Sequence, residues 1–474
     1  MEVYLKRAVV KGLFDSKTQL EMELSNNVNC IHGVNGSGKT VFINLLVGTL
    51  NCQLEYLKKI KFSSITIYTL KEGNKRPSKM FTASRTDNEI TYNFHVGLTP
   101  KCERGTLSRV AFLRTVPEID LPIKKGDSIT ISLDDEGFNI SSYRVKILIE
   151  SILAATYVPL LRGHESVVAK RRLRNIEGGN DPYVQMLSDL QEEFVGRYGS
   201  ANSKVGVELE KLKSKMFEHL LFTDSDASIK QDMEVLRALT DSGSVSDYTE
   251  EQKEQVINDI EDANITISTK KVERHFSIWR ETQEDVLETS RALQQAQSGG
   301  KEIESTKLIS LNEEYSKAYF RCLASIKFNR KFSHAIEDIK KAQKKKDMAL
   351  SPFRSFESQM NTFLTKNKKF RLGTSGNFEI RFNGKVVQFH ELSSGEKHIL
   401  AILARVCLSA VSKSTLFIAD EPELSLHLEW QRKIIPAINE ISPEMQIIVA
   451  THSPAVIPEN ALMINILECY SYDE

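Results

Sequence analysis

Long apolar runs are missing from this sequence. No stretch approaches the roughly 18 apolar residues that a membrane-spanning helix requires, so no span is expected. The N-terminal Met-Glu-Val-Tyr-Leu-Lys-Arg has no apolar h-region and does not read as a signal peptide. Net charge is missing too: 63 Lys plus Arg balance 63 Asp plus Glu. A surface built as a whole for nucleic acid is therefore not expected, although a local basic patch remains compatible with the balance. The six cysteines (30, 52, 102, 322, 407 and 469) show no CxxC spacing and no pairing pattern. In a chain of 474 residues such scatter reads as buried thiols of a reducing cytosol, not a disulfide framework or a metal site. What is left is the expectation of a soluble cytoplasmic α/β protein of two or three domains with a sizeable core.

Residues 2–10 suit an opening strand, Leu20–Leu24 alternates like a second, and Val28–Val34 feeds a glycine-rich loop, with a helix over Val41–Leu50 beyond it. From about 61 to 140, short β-rich pieces (64–70, 89–96, 128–133) separated by Gly, Pro, Asn and Asp suggest an antiparallel meander. The chain then turns polar and mostly helical to about Leu364. Val205, Leu209, Leu212, Met216 and Leu220 recur at helical steps, as do Tyr319, Leu323 and Ile326. Breakers at Glu177–Pro182, Asp241–Ser244 and Gln297–Gly300 divide this region. It reads as an insertion of several antiparallel helices, too short and too interrupted for a long coiled-coil arm.

Further on, Phe378–Phe382 and Lys385–Phe389 flank Asn383-Gly384, a strong hairpin signal. A helix over Glu396–Ser412, an all-apolar strand over Thr415–Ala419, a helix through Trp430–Glu440 and a second buried strand over Gln446–Ala450 follow. Strands apolar on both faces and alternating with helices imply a parallel sheet covered on both sides. The expected organisation is a split head, residues 1–165 and 365–474, with a helical insertion at 166–364.

Gly33-Val34-Asn35-Gly36-Ser37-Gly38-Lys39-Thr40 matches the P-loop pattern, with the strand before it and the helix after it that the pattern requires. Glycines let backbone N–H groups curl around phosphates without Cβ clashes. The helix N-terminus adds partial positive charge. Lys39 would reach the β and γ phosphates of ATP, and Thr40 would offer its hydroxyl to Mg²⁺. The other half of such a site is the apolar strand ending in Asp420-Glu421, expected beside the loop at the C-terminal edge of the sheet. Asp420 would hold Mg²⁺ through water, and Glu421 would orient or deprotonate the attacking water.

Three further pieces complete the pattern: Leu392-Ser393-Ser394-Gly395-Glu396-Lys397, then Glu423-Leu-Ser-Leu-His427, then Ala450-Thr451-His452-Ser453-Pro454. In this order the set resembles the ABC-type ATPases, with signature motif, D-loop and switch histidine. Over roughly residues 1–60 and 375–460 it is most similar to the cytosolic branch that includes RecF-like and OLD-like ATPases. The resemblance implies an α/β fold: an ABC-type P-loop head with a mixed, mainly parallel sheet, helices on both faces, an antiparallel β subdomain and a helical insertion. It also implies that Ser393 and Gly395, with His427 nearby, contact ATP bound to a second subunit across an isologous interface. His452 would then sense the γ-phosphate beside Glu421.

Two departures stand out. His427 occupies the place where ABC-type D-loops usually carry Asp, and residues 54–184 contain no glutamine to serve as a Q-loop residue. Tyr157-Val-Pro-Leu-Leu-Arg162 is the nearest substitute, with Arg162 either at the nucleotide or on the surface. His390, His398, His427 and His452 show no metal-ligand spacing, and no Ser/His/Asp arrangement is visible. The chain ends at Glu474 without the acidic Toprim nuclease region of OLD proteins, so nuclease chemistry is expected from another polypeptide. The basic clusters at 170–174 and 340–346 read first as solvated helix faces. Phe276, Trp279, Tyr319 and Phe320 read as core or oligomer contacts.

Within the branch, the nearest resemblance is to the PtuA-type ATPases of Septu and retron-linked anti-phage systems, and next to the AriA-type ATPases of PARIS. That implies a homodimer or higher oligomer acting as sensor and scaffold for a separate HNH or Toprim nuclease, triggered by a phage protein or DNA. A RecF-like repair ATPase binding DNA directly is the alternative, and the neutral charge weighs against it.

Overall fold

Two parallel strands of five residues, four of them apolar in each, organise the head. In β12 (Leu416–Asp420) and β13 (Gln446–Ala450) every residue is buried, as strands covered on both faces must be. The computed structural model that places them describes residues 3–98, 122–134, 140–158, 182–220, 226–242, 250–262, 268–298, 305–412 and 415–472. These residues divide into two compact units, residues 1–200 with 351–474, and residues 201–350.

The first unit begins with β1 (Val3–Lys11), β2 (Thr18–Glu23) and β3 (Val28–His32), then α1 (Lys39–Leu50) and α2 (Leu54–Lys59). Next come β4 (Ser64–Lys71), β5 (Ser78–Arg85), β6 (Glu89–Phe94), β7 (Ser128–Ser132), α3 (Ile140–Glu150) and β8 (Ala155–Val158). After the long helices, β9 (Lys368–Leu372), β10 (Phe378–Phe382) and β11 (Lys385–Val386) precede α9 (Ser394–Val411) and β12. The unit closes with α10 (Leu428–Ile441), β13, β14 (Leu462–Asn465) and β15 (Tyr470–Tyr472).

Three sheets result. The parallel one has the order β14-β3-β13-β12-β8. Its registers include Ala450 opposite Ile31 and Ile418 opposite Tyr157. A parallel sheet brings the C-terminal ends of its strands to one edge, so the loops after β3, β12 and β13 emerge side by side. The Asp-Glu strand is not the direct neighbour of the P-loop strand, as its expected place beside the loop suggested. β13 lies between them, because it pairs with β3 on one side and β12 on the other. The second sheet is antiparallel, in the order β15-β2-β1-β4-β5-β6-β7. It contains the three expected meander strands and a fourth, β5, that the sequence reading passed over. Ile65, Ile67, Phe81, Tyr92 and Phe94 from this sheet share one core with Phe42, Leu46 and Leu50 of α1.

The third sheet, β11-β10-β9, carries the expected hairpin. Asn383 (φ +49°) and Gly384 (φ +84°) make its tight turn, the two positive φ angles that a type I′ turn demands. Its second strand is shorter than expected, ending at Val386, and a 3₁₀ turn over Phe389–Glu391 follows. Phe370 and Phe378 of this sheet pack against Phe356, and Phe378 also against Phe194, which in turn meets Phe353 and Phe356, with ring centroids 4.9–5.7 Å apart. Offset and edge-on aromatic contacts of this kind add to simple area burial. Phe194 belongs to α4 (Pro182–Leu220) and Phe353 and Phe356 to α8 (Ser305–Phe363), so the cluster roots both helices beside the hairpin.

The second unit consists of the remainder of α4 and α8 with α5 (Asp226–Ser242), α6 (Glu250–Asp262) and α7 (Thr269–Ser298). Leu236, Val286, Ala318 and Cys322 form one core, and Ile260, Val272, Phe276, Trp279, Ile336 and Ile339 another. Arg330 closes on the buried carboxylate of Asp232 at 2.7 Å. Phe276 and Trp279 are thus core residues, whereas Phe320 is 68 % exposed. The region is divided at more places than the breakers mark, with separate helices also over Asp226–Ser242 and Glu250–Asp262. Of the breaker residues described, Pro182 opens α4, Asp241 and Ser242 end α5, and Gln297 and Ser298 end α7, while Pro352 falls inside the 59 residues of α8. At 1.5 Å per residue that helix is about 90 Å long. Arg162 and the 170–174 basic cluster lie outside the described residues. Among the described residues no helix is long and apolar enough to cross a membrane.

Candidate functional site

The glycine loop leaves β3 and enters α1 through a Gly38 N-cap at φ +93°, ψ +8°. Only glycine suits this position twice over. Its φ is left-handed, and a Cβ there would stand 2.7 Å from the Tyr470 hydroxyl and 3.1 Å from the Phe14 ring. The Tyr470 hydroxyl donates to the Ser37 carbonyl at 3.2 Å, tying β15 to the loop. Ser37 is buried, while Asn35 and Gly36 form the exposed tip. The buried Lys39 ammonium donates to the carbonyls of Gly33 (2.9 Å) and Val34 (3.1 Å). Burial pushes its pKa down, against the pull of Glu421 and Asp420.

Asp420, at the end of β12, is 4 % exposed, and neither carboxylate oxygen has a well-formed hydrogen bond. Burial raises its pKa from 3.8 to about 6, and Glu421 and Glu423 add to the rise, whereas the Thr40 hydroxyl and Lys39 oppose it. The Thr40 hydroxyl is therefore close enough to be felt without meeting full hydrogen-bond geometry. A buried carboxylate with open lone pairs beside a threonine hydroxyl is the donor set that a hard divalent cation takes, so these residues fit Mg²⁺.

Glu421 follows with φ +45°, a left-handed conformation uncommon outside glycine and costing about 1–3 kcal/mol. Its own N–H holds it there by donating to the Ala450 carbonyl at 2.8 Å. The His452 Nε2 lies 3.8 Å from Glu421 Oε1. The residues Gly33–Thr40, Asp420, Glu421 and His452, which are far apart in sequence, thus share one sheet edge.

Ser393, Gly395 and His427 form a separate group. Ser393 caps α9 by a reciprocal box: its Oγ accepts from the Glu396 N–H at 3.2 Å, and Glu396 Oε2 accepts from the Ser393 N–H at 2.9 Å. Burial pushes the Glu396 pKa up, but Lys368 at 2.7 Å and Ser393 together bring it below its ordinary value. Gly395 sits where a Cβ would stand 2.9 Å from the Ser425 carbonyl, so the signature turn and the 421–427 segment touch. His427 is exposed at the start of α10, its ring 4.4 Å from that of Trp430. Among the described residues no hydrogen bond joins this group to the glycine loop. His398 is buried in α9, where desolvation lowers its pKa and keeps it neutral; its Nε2 donates to the Pro422 carbonyl at 3.1 Å.

Three neighbours of the site carry no motif of their own. Glu423 accepts three hydrogen bonds from the 451–453 loop. Phe14, at φ +70° and 63 % exposed, stands over Gly38. Tyr157, in the segment offered as the nearest substitute for a Q-loop, donates to Asn44 Oδ1 on α1 at 3.1 Å. Glu423 and Tyr157 lie in segments that the sequence singled out, without a role assigned to Glu423; Phe14 does not.

Comparison with known proteins adds to this geometry. Retron Ec83 probable ATPase of Escherichia coli is 36 % identical over 76 residues, 14 % of this chain and 14 % of that protein. Septu protein PtuA of Bacillus thuringiensis is 29 % identical over 156 residues, 30 % of this chain and 37 % of its own length. Each match therefore spans well under half of the relative. A Pyrococcus furiosus Smc head domain with an extended coiled coil superposes over 96 % of this chain and 91 % of that one, at 14 % identity and a TM-score of 0.37. A family match covers residues 186–457, more than half of the chain. It takes in Ser393, Asp420, Glu421 and His452 but not the glycine loop. The chain belongs to the ATPase family described as AAA domain, putative AbiEii toxin, Type IV TA system.

Proposed function

We propose that this protein binds and hydrolyses ATP as the sensor and scaffold subunit of an anti-phage defence complex, with a separate nuclease as effector. One observation carries the ATPase reading: Asp420, a buried carboxylate with open lone pairs, faces Thr40 and Lys39 of a P-loop. Thr40 and Asp420 would hold Mg²⁺, which when bound supplies positive charge to the β and γ phosphates. The backbone N–H groups of Asn35–Thr40 and the α1 N-terminus bind the phosphates, and Lys39 exchanges its carbonyl partners for phosphate oxygens. Glu421 accepts a hydrogen bond from the attacking water and aligns it, and His452 orients Glu421 and reads the γ-phosphate.

Ser393, Gly395 and His427 complete the site in trans, two heads enclosing two ATP molecules in an isologous dimer. Their grouping apart from the glycine loop supports this arrangement, and so does the exposure of Ser393 and Ser394 at the start of α9. The defence role rests on the likeness to a retron ATPase and to a Septu protein. The effector is a small HNH or Toprim nuclease, and the trigger is a phage protein or DNA that shifts a two-state equilibrium of the heads.

Glu421→Gln tests the site. Turnover should fall by about 10²–10³-fold, the scale for losing a group that acts on the transition state. At the same time an ATP-dependent dimer should accumulate in size-exclusion chromatography. Unchanged turnover removes Glu421 from the mechanism. Affinity capture from the native host tests the partner: a co-purifying nuclease supports the defence role, and DNA with no nuclease refutes it.

A further inference from the structure

The segment after the catalytic pair is tied to the switch loop by one carboxylate oxygen. Glu423 Oε1 accepts from the Thr451 hydroxyl at 2.7 Å, the His452 N–H at 2.9 Å and the Ser453 N–H at 3.2 Å. Its other oxygen is buried and accepts nothing. A carboxylate placed for an ion pair would share its charge over both oxygens; here the reach of one oxygen is what matters. The ties continue outward. The Ser453 hydroxyl donates to Gln431 Oε1 at 2.7 Å, and Gln431 Nε2 donates to the Leu426 carbonyl at 2.8 Å. On the other side the preceding residue, Pro422, receives the buried His398 of α9. Three donors of the 451–453 loop thus converge on Glu423, beside the bond from the Ser453 N–H to the Thr451 hydroxyl at 3.0 Å and that from the Thr451 N–H to the Ile31 carbonyl at 3.1 Å. His452 is exposed to solvent, and among the described residues its N–H donates to Glu423 alone, while the neighbouring Ala450 carbonyl accepts from the Glu421 N–H at 2.8 Å.

We propose that Glu423 is the positioning residue of the site: it holds His452 against Glu421 and joins the switch loop to the α9 helix through Pro422 and His398. Catalysis then depends on where the 421–427 segment stands. A contact that moves Gly395 or Ser425, which touch each other, is felt at His452 through this one side chain. The inference rests on the ATPase reading of the same site.

Steady-state ATP hydrolysis by the full chain tests it, with Lys39→Ala as the control for the site itself. In Glu423→Ala kcat should fall by about 10–100-fold, the range for residues that orient a catalytic group, with KM for ATP within about twofold of wild type. The double variant Glu423→Ala with His452→Ala should be no slower than His452→Ala alone, because Glu423 acts through that residue. Two conservative variants separate reach from charge and remain informative if the alanine variant does not fold. Glu423→Gln keeps an acceptor oxygen at the same distance and should retain most of the activity. Glu423→Asp keeps the charge but is shorter by a methylene, and should be slow. Wild-type kcat in Glu423→Asp, or losses that add up in the double variant, would overturn the inference while leaving the ATPase site intact. Wild-type turnover by Lys39→Ala instead overturns the site reading, and the inference with it.

Discussion

Replacing Asp420 by Asn should make the nucleotide-free protein more stable while abolishing its activity. Asp420 is ionised at neutral pH in a place that penalises the charge: burial, Glu421 and Glu423 raise its pKa from 3.8 to about 6. A folded-state pKa above the unfolded value means that the native state binds the proton more tightly. Stability is therefore full below pH 3.8 and declines as pH rises through about 6, where the unfolded chain ionises more readily. A shift of about two units corresponds to about 3 kcal/mol of destabilisation, complete above about pH 7. The isosteric amide carries no charge and escapes it. The assay is a pair of thermal melts in chelator at pH 8 and pH 5, wild type against Asp420→Asn. At pH 8 the variant should melt several degrees higher, since about 1 kcal/mol moves a domain of this size by about 2–4 °C. Near pH 5 the difference should shrink to about half, because the unfolded chain is still ionised there, and it should vanish only below pH 3.8. Added MgATP should raise the wild-type melt and leave the variant unmoved, because a ligand stabilises only the state that binds it. A variant less stable than wild type at pH 8, or a difference independent of pH, would refute the assignment of Asp420 as a buried, unpartnered carboxylate. The destabilisation is of the kind that active sites commonly carry in exchange for function.

Two other outcomes can be checked directly. Phe14→Ala removes the exposed ring over Gly38. If the ring stacks on the adenine, KM for ATP should rise about three- to tenfold, from the ~0.5–1.5 kcal/mol of an aromatic pair, with kcat unchanged. Phe194→Ala empties the centre of the five-ring cluster, whose Phe194–Phe378 centroids are 4.9 Å apart. It should destabilise the head by about 3–5 kcal/mol in urea unfolding.

Much of the head was readable from local patterns. The P-loop is contiguous and its chemistry is backbone geometry, so the residues 33–40 announce both the loop and the helix that follows. The hairpin at Asn383-Gly384 depends on two positive φ angles that those residue types favour, and both angles are present. Fully apolar runs identified β12 and β13 as interior parallel strands. The same local reasoning fell short in the helical region. It marked breaks at 241–244 and 297–300 and passed over those between α4 and α5 and between α6 and α7, where the sequence has neither Gly nor Pro. β5 was passed over because Ser78–Arg85 alternates weakly, and its place is set by pairing with β4 and β6.

The candidate phosphate loop, acidic pair, signature turn and switch histidine were each proposed from sequence alone, since each is a short run whose expected role follows from its own atoms. Their arrangement was decided in three dimensions. Only strand pairing inserts β13 between β3 and β12 and so delivers His452 to the side of Glu421. Only the closure of the antiparallel sheet by β15 brings Tyr470 to a loop 433 residues earlier in the chain. Only the meeting of two loops gives Glu423 its three donors. Contacts of this range depend on which strands share an edge, and a linear pattern of hydrophobicity specifies that a strand is buried without specifying its neighbours.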